Sequence, residues 1–122
     1  MMIHISDKCR YMYYNGDTDM RRSFHGLAAI VKYQMQCDVL SGDVYIFISR
    51  HRNAIKLLRF EGDGFCLFYK RLEKGTFEIP SRDNQSGPLL ISDNELIFIL
   101  KGVALKQVKY RPRYSHNRAN CE

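Results

Sequence analysis

Between residues 20 and 72 the spacing of apolar side chains switches from a helical repeat to a strand repeat, and this switch narrows the choice of fold. Met20, Phe24, Leu27 and Val31 recur at intervals of four, three and four, with Ala28 and Met35 beside them, which traces one face of a 3.6-residue repeat. From Val44 the period becomes two. Residues 44–49, 55–61 and 65–72 read as three strands, joined by 50–54 and by Gly62-Asp63-Gly64, lengths that connect antiparallel neighbours. Val44, Ile46 and Ile48 alternate with Tyr45, Phe47 and Ser49, so this strand is apolar on both faces and is expected at the centre of its sheet.

The flanks extend the pattern. Residues 8–14, KCRYMYY, are rich in β-formers and end at the turn dipeptide Asn15-Gly16. Thr18 or Asp17 suits a helix N-cap and Asp19 the first turn, which predicts a long helix to about residue 36. Gly26 inside it costs about 1 kcal/mol relative to Ala and suggests a close backbone neighbour. Residues 75–79 could add a short edge strand, and Pro80 followed by 81–88 forms a loop. Ser92 and Glu95 make a capping-box pattern ahead of Leu96, Ile99, Leu100 and Val103, so a second helix is expected over about 93–102, with Gly102 near its end. The expected fold is α+β: an antiparallel sheet of about four to five strands, one long helix packed on a face, a short C-terminal helix and a basic flexible tail. Residues 1–105 form one domain in this reading, and 106–122 a disordered tail.

Length and composition bound the class. A chain of 122 residues can bury a core of its own, and 45% hydrophobic with 12% aromatic residues excludes global disorder. No apolar run approaches the ~20 residues that span a bilayer, and residues 1–10 lack the make-up of a secretory signal, so a cytoplasmic protein with no membrane partner is expected. Cys9, Cys37, Cys66 and Cys121 are scattered, with no C-x-x-C pair and no histidine at ligand spacing. Free thiols are expected, with no metal and no cofactor. The net charge of +6 is concentrated late: residues 1–100 carry 13 Lys and Arg against 12 Asp and Glu, whereas 101–122 carry six against Glu122 alone.

No catalytic constellation is present in the sequence. His4, His25, His51 and His116 stand in no HExxH, triad or zinc spacing, and the carboxylates fall at caps and turns. A two-metal phosphoryl-transfer core needs three acidic residues gathered on a larger fold. Catalytic residues are therefore expected to be none. Binding has more to draw on. Arg50, Arg52, Lys56, Arg59, Lys70, Arg71 and Lys74 concentrate on the three-strand region, interleaved with Tyr45, Phe60, Phe68 and Tyr69, which suits phosphate contact and base stacking. The same residues also suit a solvated sheet face with aromatics in the core. Arg21 and Arg22 could meet a phosphate or pair with Asp17, Asp19 or Glu73. Lys109, Arg111 and Arg113, with Lys106, Arg118, Tyr110 and Tyr114, suit an arm on a polyanion or an idle terminus.

Four stretches carry a family resemblance: Thr18-Asp19-Met20-Arg21-Arg22 with Phe24 and Gly26-Leu27; Ser41-Gly42; Lys56 with Gly62, Gly64 and Phe65; and Tyr69-Lys70-Arg71-Leu72-Glu73 with Gly75 and Phe77. In this order, over about residues 9–104, they resemble the accessory protein made from the second reading frame of insertion sequence 66 transposons. Members commonly carry tryptophan near the position of Arg59 or Phe60 and aspartate at that of Glu61; this chain has no tryptophan. The resemblance implies a non-catalytic accessory factor in transposition, partnered by transposon-end DNA or by the transposase and other proteins of the same element, with homo-oligomerisation open. A DNA-binding module predicts contiguous positive potential and steep salt dependence. An adaptor predicts an exposed apolar patch, with Phe65, Phe68, Phe77 and Ile79 as candidates.

Overall fold

A computed structural model of the protein describes residues 5–80 and 87–102. Its elements are β1 (Tyr11–Asp17), α1 (Phe24–Ala29) continued by a π-helical stretch (Ile30–Gln34), β2 (Val44–Ile48), β3 (Ala54–Phe60), β4 (Phe65–Arg71), β5 (Leu89–Ile91) and α2 (Asp93–Lys101). One five-stranded sheet runs in the order β4-β3-β2-β1-β5. The β2-β3-β4 meander is antiparallel, as its period and turns predict, and β2 is central.

The sheet as a whole is mixed, which corrects the expected antiparallel arrangement. Strand β1 pairs parallel to β2, with Tyr11 opposite Val44 and Tyr13 opposite Ile46. The physical reason is the intervening helix, which carries the chain back along the sheet so that β2 starts from the same end as β1. Asn15-Gly16 makes no turn; it lies within β1, where the register shifts between Tyr13 and Asp17. Strand β5 pairs antiparallel with the other side of β1 through Leu89, Leu90 and Ile91. It replaces the edge strand expected at 75–79, a segment without strand structure.

Alternation on β2 sorts the core into two layers. Val44, Ile46 and Ile48 face a cluster with Tyr11, Tyr13, Ile55, Leu57, Phe77 and, from α2, Leu96 and Ile99. Tyr45 and Phe47 face the opposite cluster, with Leu58 and, from α1 and its continuation, Leu27, Ile30, Val31 and Met35. Both faces of the sheet are therefore covered, the first by α2 and the second by α1.

The two helices are specified unequally. At α2, the Ser92 hydroxyl accepts from the Glu95 N–H at 3.1 Å and Glu95 accepts from the Ser92 N–H at 3.3 Å. Gly102 closes the helix in the left-handed region at φ 82°, where a Cβ would be strained. At α1 the N-cap is Ser23 with no side-chain cap bond. The expected long helix is short because residues 17–22 are drawn to the sheet: the Thr18 N–H donates to the Ile48 carbonyl at 3.2 Å. Residue Gly26 adjoins the Arg22 side-chain stem, 3.1 Å from where a Cβ would lie. The expected basic tail, 106–122, lies outside the described residues.

Candidate nucleic-acid interface

Because helices cover both faces of the sheet, exposed charge is left to the strand ends and edges. Along β3 and β4 the register sets Ala54 opposite Arg71 and Ile55 opposite Lys70. The β2-β3 turn, with exposed Arg50 and Arg52, sits at that same end. Two backbone bonds draw the chain after β4 against this turn: the Leu72 N–H donates to Asn53 O at 2.8 Å, and the Phe77 N–H to Arg52 O. Exposed Lys74 lies on this returning segment. The structure thus gathers Arg50, Arg52, Lys70, Arg71 and Lys74 at one end of the sheet.

Two further features belong to this end. The segment after β1 is held by Lys56, whose ammonium donates to Met20 O at 2.8 Å and to Arg22 O at 2.7 Å. Exposed Arg21 and Arg22 are thereby carried over the end of β3. The Lys70 ammonium donates to Leu100 O at 3.3 Å, in the last turn of α2. A cation suits that terminus because it lies against the negative end of the helix dipole. Exposed Lys101 joins the same group. Sequence reasoning passed over Lys101, although a basic residue in a helix's last turn is a recognisable signal.

The individual side chains differ in what they have free. Arg21 forms an exposed ion pair with Asp19 at 2.7 Å, and its hydrogen bonds hold that carboxyl down at about 2. Arg52 adopts φ 62°, a left-handed conformation for a residue with a Cβ, at the tip of the β2-β3 turn. It lies near the Tyr13 hydroxyl, which burial pushes up and the Arg52 charge pulls down. Lys56 is only 6% exposed, its ammonium is turned inward, and it stands 4.8 Å from the centre of the Tyr69 ring. Burial lowers its pKa, with the nearby Asp19 charge opposing. Arg59 stands apart: opposite Cys66, it is four residues beyond Ile55 on β3, about 13 Å at ~3.3 Å per residue. Its Nε is buried without a hydrogen-bond partner. Lys109, Arg111 and Arg113 lie outside the described residues.

Of the four interleaved aromatics, Tyr45 is buried, Phe68 packs on the first core layer and Phe60 meets Phe65 edge to face at 5.1 Å. Tyr69 is the exposed one, at 49%. The expected apolar patch is likewise divided, with Phe77 buried and Phe65, Phe68 and Ile79 partly buried in the two layers.

A second polar cluster lies where β2 begins. Asp43 accepts from the Arg10 backbone N–H at 3.2 Å, from the Arg10 guanidinium at 2.7 and 3.1 Å, and from Ser41 Oγ at 3.1 Å. Burial raises its pKa, but the bonds from Arg10 and Ser41 outweigh it and the net shift is downward. The Tyr45 hydroxyl donates to Asp38 O at 2.9 Å and lies 3.0 Å from Ser41 Oγ. These bonds tie the segment before β1 to the segment before β2, which fixes the parallel pair. Among the described residues, no group of three or more His, Cys, Asp or Glu is arranged to hold a metal ion, and no helix is long and apolar enough to cross a membrane.

The residues of the sequence signature occupy structural positions in this arrangement: Lys56 anchors the 20–22 segment, Ser41 braces Asp43, and Lys70-Arg71 end β4. The family described as IS66 Orf2 like protein matches residues 9–110 of the chain. The chain belongs to that family. It is also similar to two proteins of Sinorhizobium fredii. The uncharacterized protein y4hO is 35% identical over 99 residues, covering 80% of this chain and 84% of the relative. The uncharacterized protein y4jC is 30% identical over 111 residues, covering 91% and 93%. No solved structure matches. Membership in the IS66 Orf2-like family implies an accessory role in transposition, and families of this kind are generally non-catalytic.

Proposed function

We propose that this family member acts in transposition as a non-catalytic accessory protein that engages transposon-end DNA through the basic end of its sheet. The observation that carries this reading is the convergence of Arg50, Arg52, Lys70, Arg71 and Lys74, from the β2-β3 turn and the end of β4, beside Arg21, Arg22 and Lys101. Opposing carboxylates there are Asp17, Asp19, Glu73 and Glu78, of which Asp19 is paired with Arg21 and Glu78 follows the Phe77 that bonds Arg52. Arginines suit the role because a rigid guanidinium fork matches phosphate geometry, and Tyr69 at the rim offers a ring face. In this reading Lys56 is an anchor for the Arg21-Arg22 segment rather than a phosphate ligand. Arg59 lies about 13 Å along β3 from that end and is partly buried, its Nε fully so, which sets it apart from the exposed cluster. Lys109, Arg111 and Arg113 would add charge attraction from the sequence beyond Gly102.

Fluorescence anisotropy of the full-length protein against the element's terminal inverted repeat and a scrambled duplex tests the proposal. Tighter binding to the repeat is expected. Equal, weak binding to both duplexes, together with capture of the element's transposase, would make the protein an adaptor instead.

A further inference from the structure

The sheet has two edges of unequal character. Strand β5 is three residues long, whereas β4 runs for seven, Phe65–Arg71, and nothing among the described residues pairs with its outer side. The Leu72 N–H and the Gly64 carbonyl both point inward, bonding Asn53 and Glu61. Strand alternation then sends the N–H and C=O of Phe65, Leu67, Tyr69 and Arg71 outward. These outward groups form a ready template for another strand.

We infer that this edge pairs with the β4 edge of a second copy of the chain, antiparallel about a two-fold axis at Phe68, making one continuous sheet from two five-stranded halves. Two observations select this occupant and register. First, centring on Phe68 matches Leu67 with Tyr69 and Phe65 with Arg71 of the other copy, so every outward group finds a partner and all seven residues are covered. Shifting the axis by one residue in either direction leaves part of the strand unpaired. Second, β4 is electrically polar along its length. Exposed Glu61 and Asp63 precede it, while exposed Lys70, Arg71 and Lys74, against Glu73, end it. Antiparallel self-pairing sets the net-basic end of each copy beside the net-acidic end of the other; within the paired residues no like charges stand opposite, and just beyond them Asp63 faces Glu73 with Arg71 diagonal to it. The inference stands on the strand edge alone and does not require the DNA reading.

Analytical ultracentrifugation of the full chain should give a mass of twice 14.4 kDa. Tyr69→Pro removes an outward N–H and no bond to β3, so it should give a folded monomer by circular dichroism. A second variant guards against misfolding. In the inferred register Cys66 stands opposite Lys70 as a non-hydrogen-bonded pair, with Cα atoms about 4.5 Å apart, within disulfide range. Mild oxidation of Lys70→Cys should therefore give a covalent dimer through Cys66, located by peptide mapping. Those two cysteines are too far apart on one strand to join within a copy. A monomeric wild-type chain at high micromolar concentration, or a dimer with no Cys66-to-70 linkage in Lys70→Cys, would overturn the inference.

Discussion

The two ends of the sheet are built from the same two strands yet carry opposite charge. At the β3-β4 hairpin, Glu61 and Asp63 alternate with Gly62 and Gly64; at the other end, the β2-β3 turn and the close of β4 bring together five Lys and Arg. Read from the sequence, one helix covers one face of the sheet and these basic residues suit a solvated face. In the folded chain both faces lie under helices, so a charged side chain reaches water only at an end or an edge. Lys56 illustrates the rule from the opposite side: placed mid-strand on a covered face, it is kept by two backbone carbonyls.

The largest effect expected from disturbing this arrangement is at that anchor. Lys56→Met keeps the aliphatic stem but removes the donor from two part-buried carbonyls, which water can partly satisfy, so the cost is about 1–3 kcal/mol for the pair. Urea unfolding should show a loss of about 2 kcal/mol, and residues 20–22 should lose amide-exchange protection. An unchanged midpoint would mean that the 20–22 segment is held by other contacts.

Acid should act next, at the start of the parallel pair. Asp43 and Asp19 both have folded-state values below the ordinary carboxylate value of 3.8, Asp19 at about 2. Each therefore contributes stability that is present above about pH 4 and lost as pH falls toward 2. The urea midpoint should decline across that window, and Asp43→Asn should flatten the decline while lowering stability at neutral pH.

A smaller effect separates the helices. Ser92→Ala removes a cap worth about 1 kcal/mol, whereas Ser23→Ala removes no side-chain cap bond and should change the melting temperature little. Equal losses would contradict the unequal specification of α2 and α1.

That contrast also explains what was legible in the sequence. Helix α2 is encoded locally, by Ser92, Glu95 and Gly102, and β2, β3 and β4 by period two and turn glycines. The order of the outer strands is encoded by distant contacts. Nothing adjacent to Leu89-Leu90-Ile91 signals a strand, because its partner is β1, some eighty residues earlier. The parallel sense of β1 follows from the crossover and from the Arg10-Asp43 tie, whose members are 33 positions apart. Asp17 and Thr18 resemble caps in composition, but the Thr18 N–H goes to β2. For the candidate interface, the basic residues were visible one by one. Their convergence depended on the register of Ala54 with Arg71, and the inward turn of Lys56 on the position of the 20–22 segment.

The most direct test of the account compares salt dependence at the two ends of the sheet. Binding of the full-length protein to the terminal inverted repeat would be measured from low to moderate salt for three proteins: wild type, a variant with Arg50, Arg52, Lys70 and Arg71 changed to alanine, and a Glu61→Gln, Asp63→Asn variant. Each lost phosphate contact reduces the log-log salt slope by about 0.9, so the basic-end variant should lose about 3 to 4 units of slope. The hairpin variant, whose charges lie more than a Debye length of ~8–10 Å from the basic end, should match wild type. A basic-end variant that keeps the wild-type slope would contradict the assignment of DNA contact to this end of the sheet.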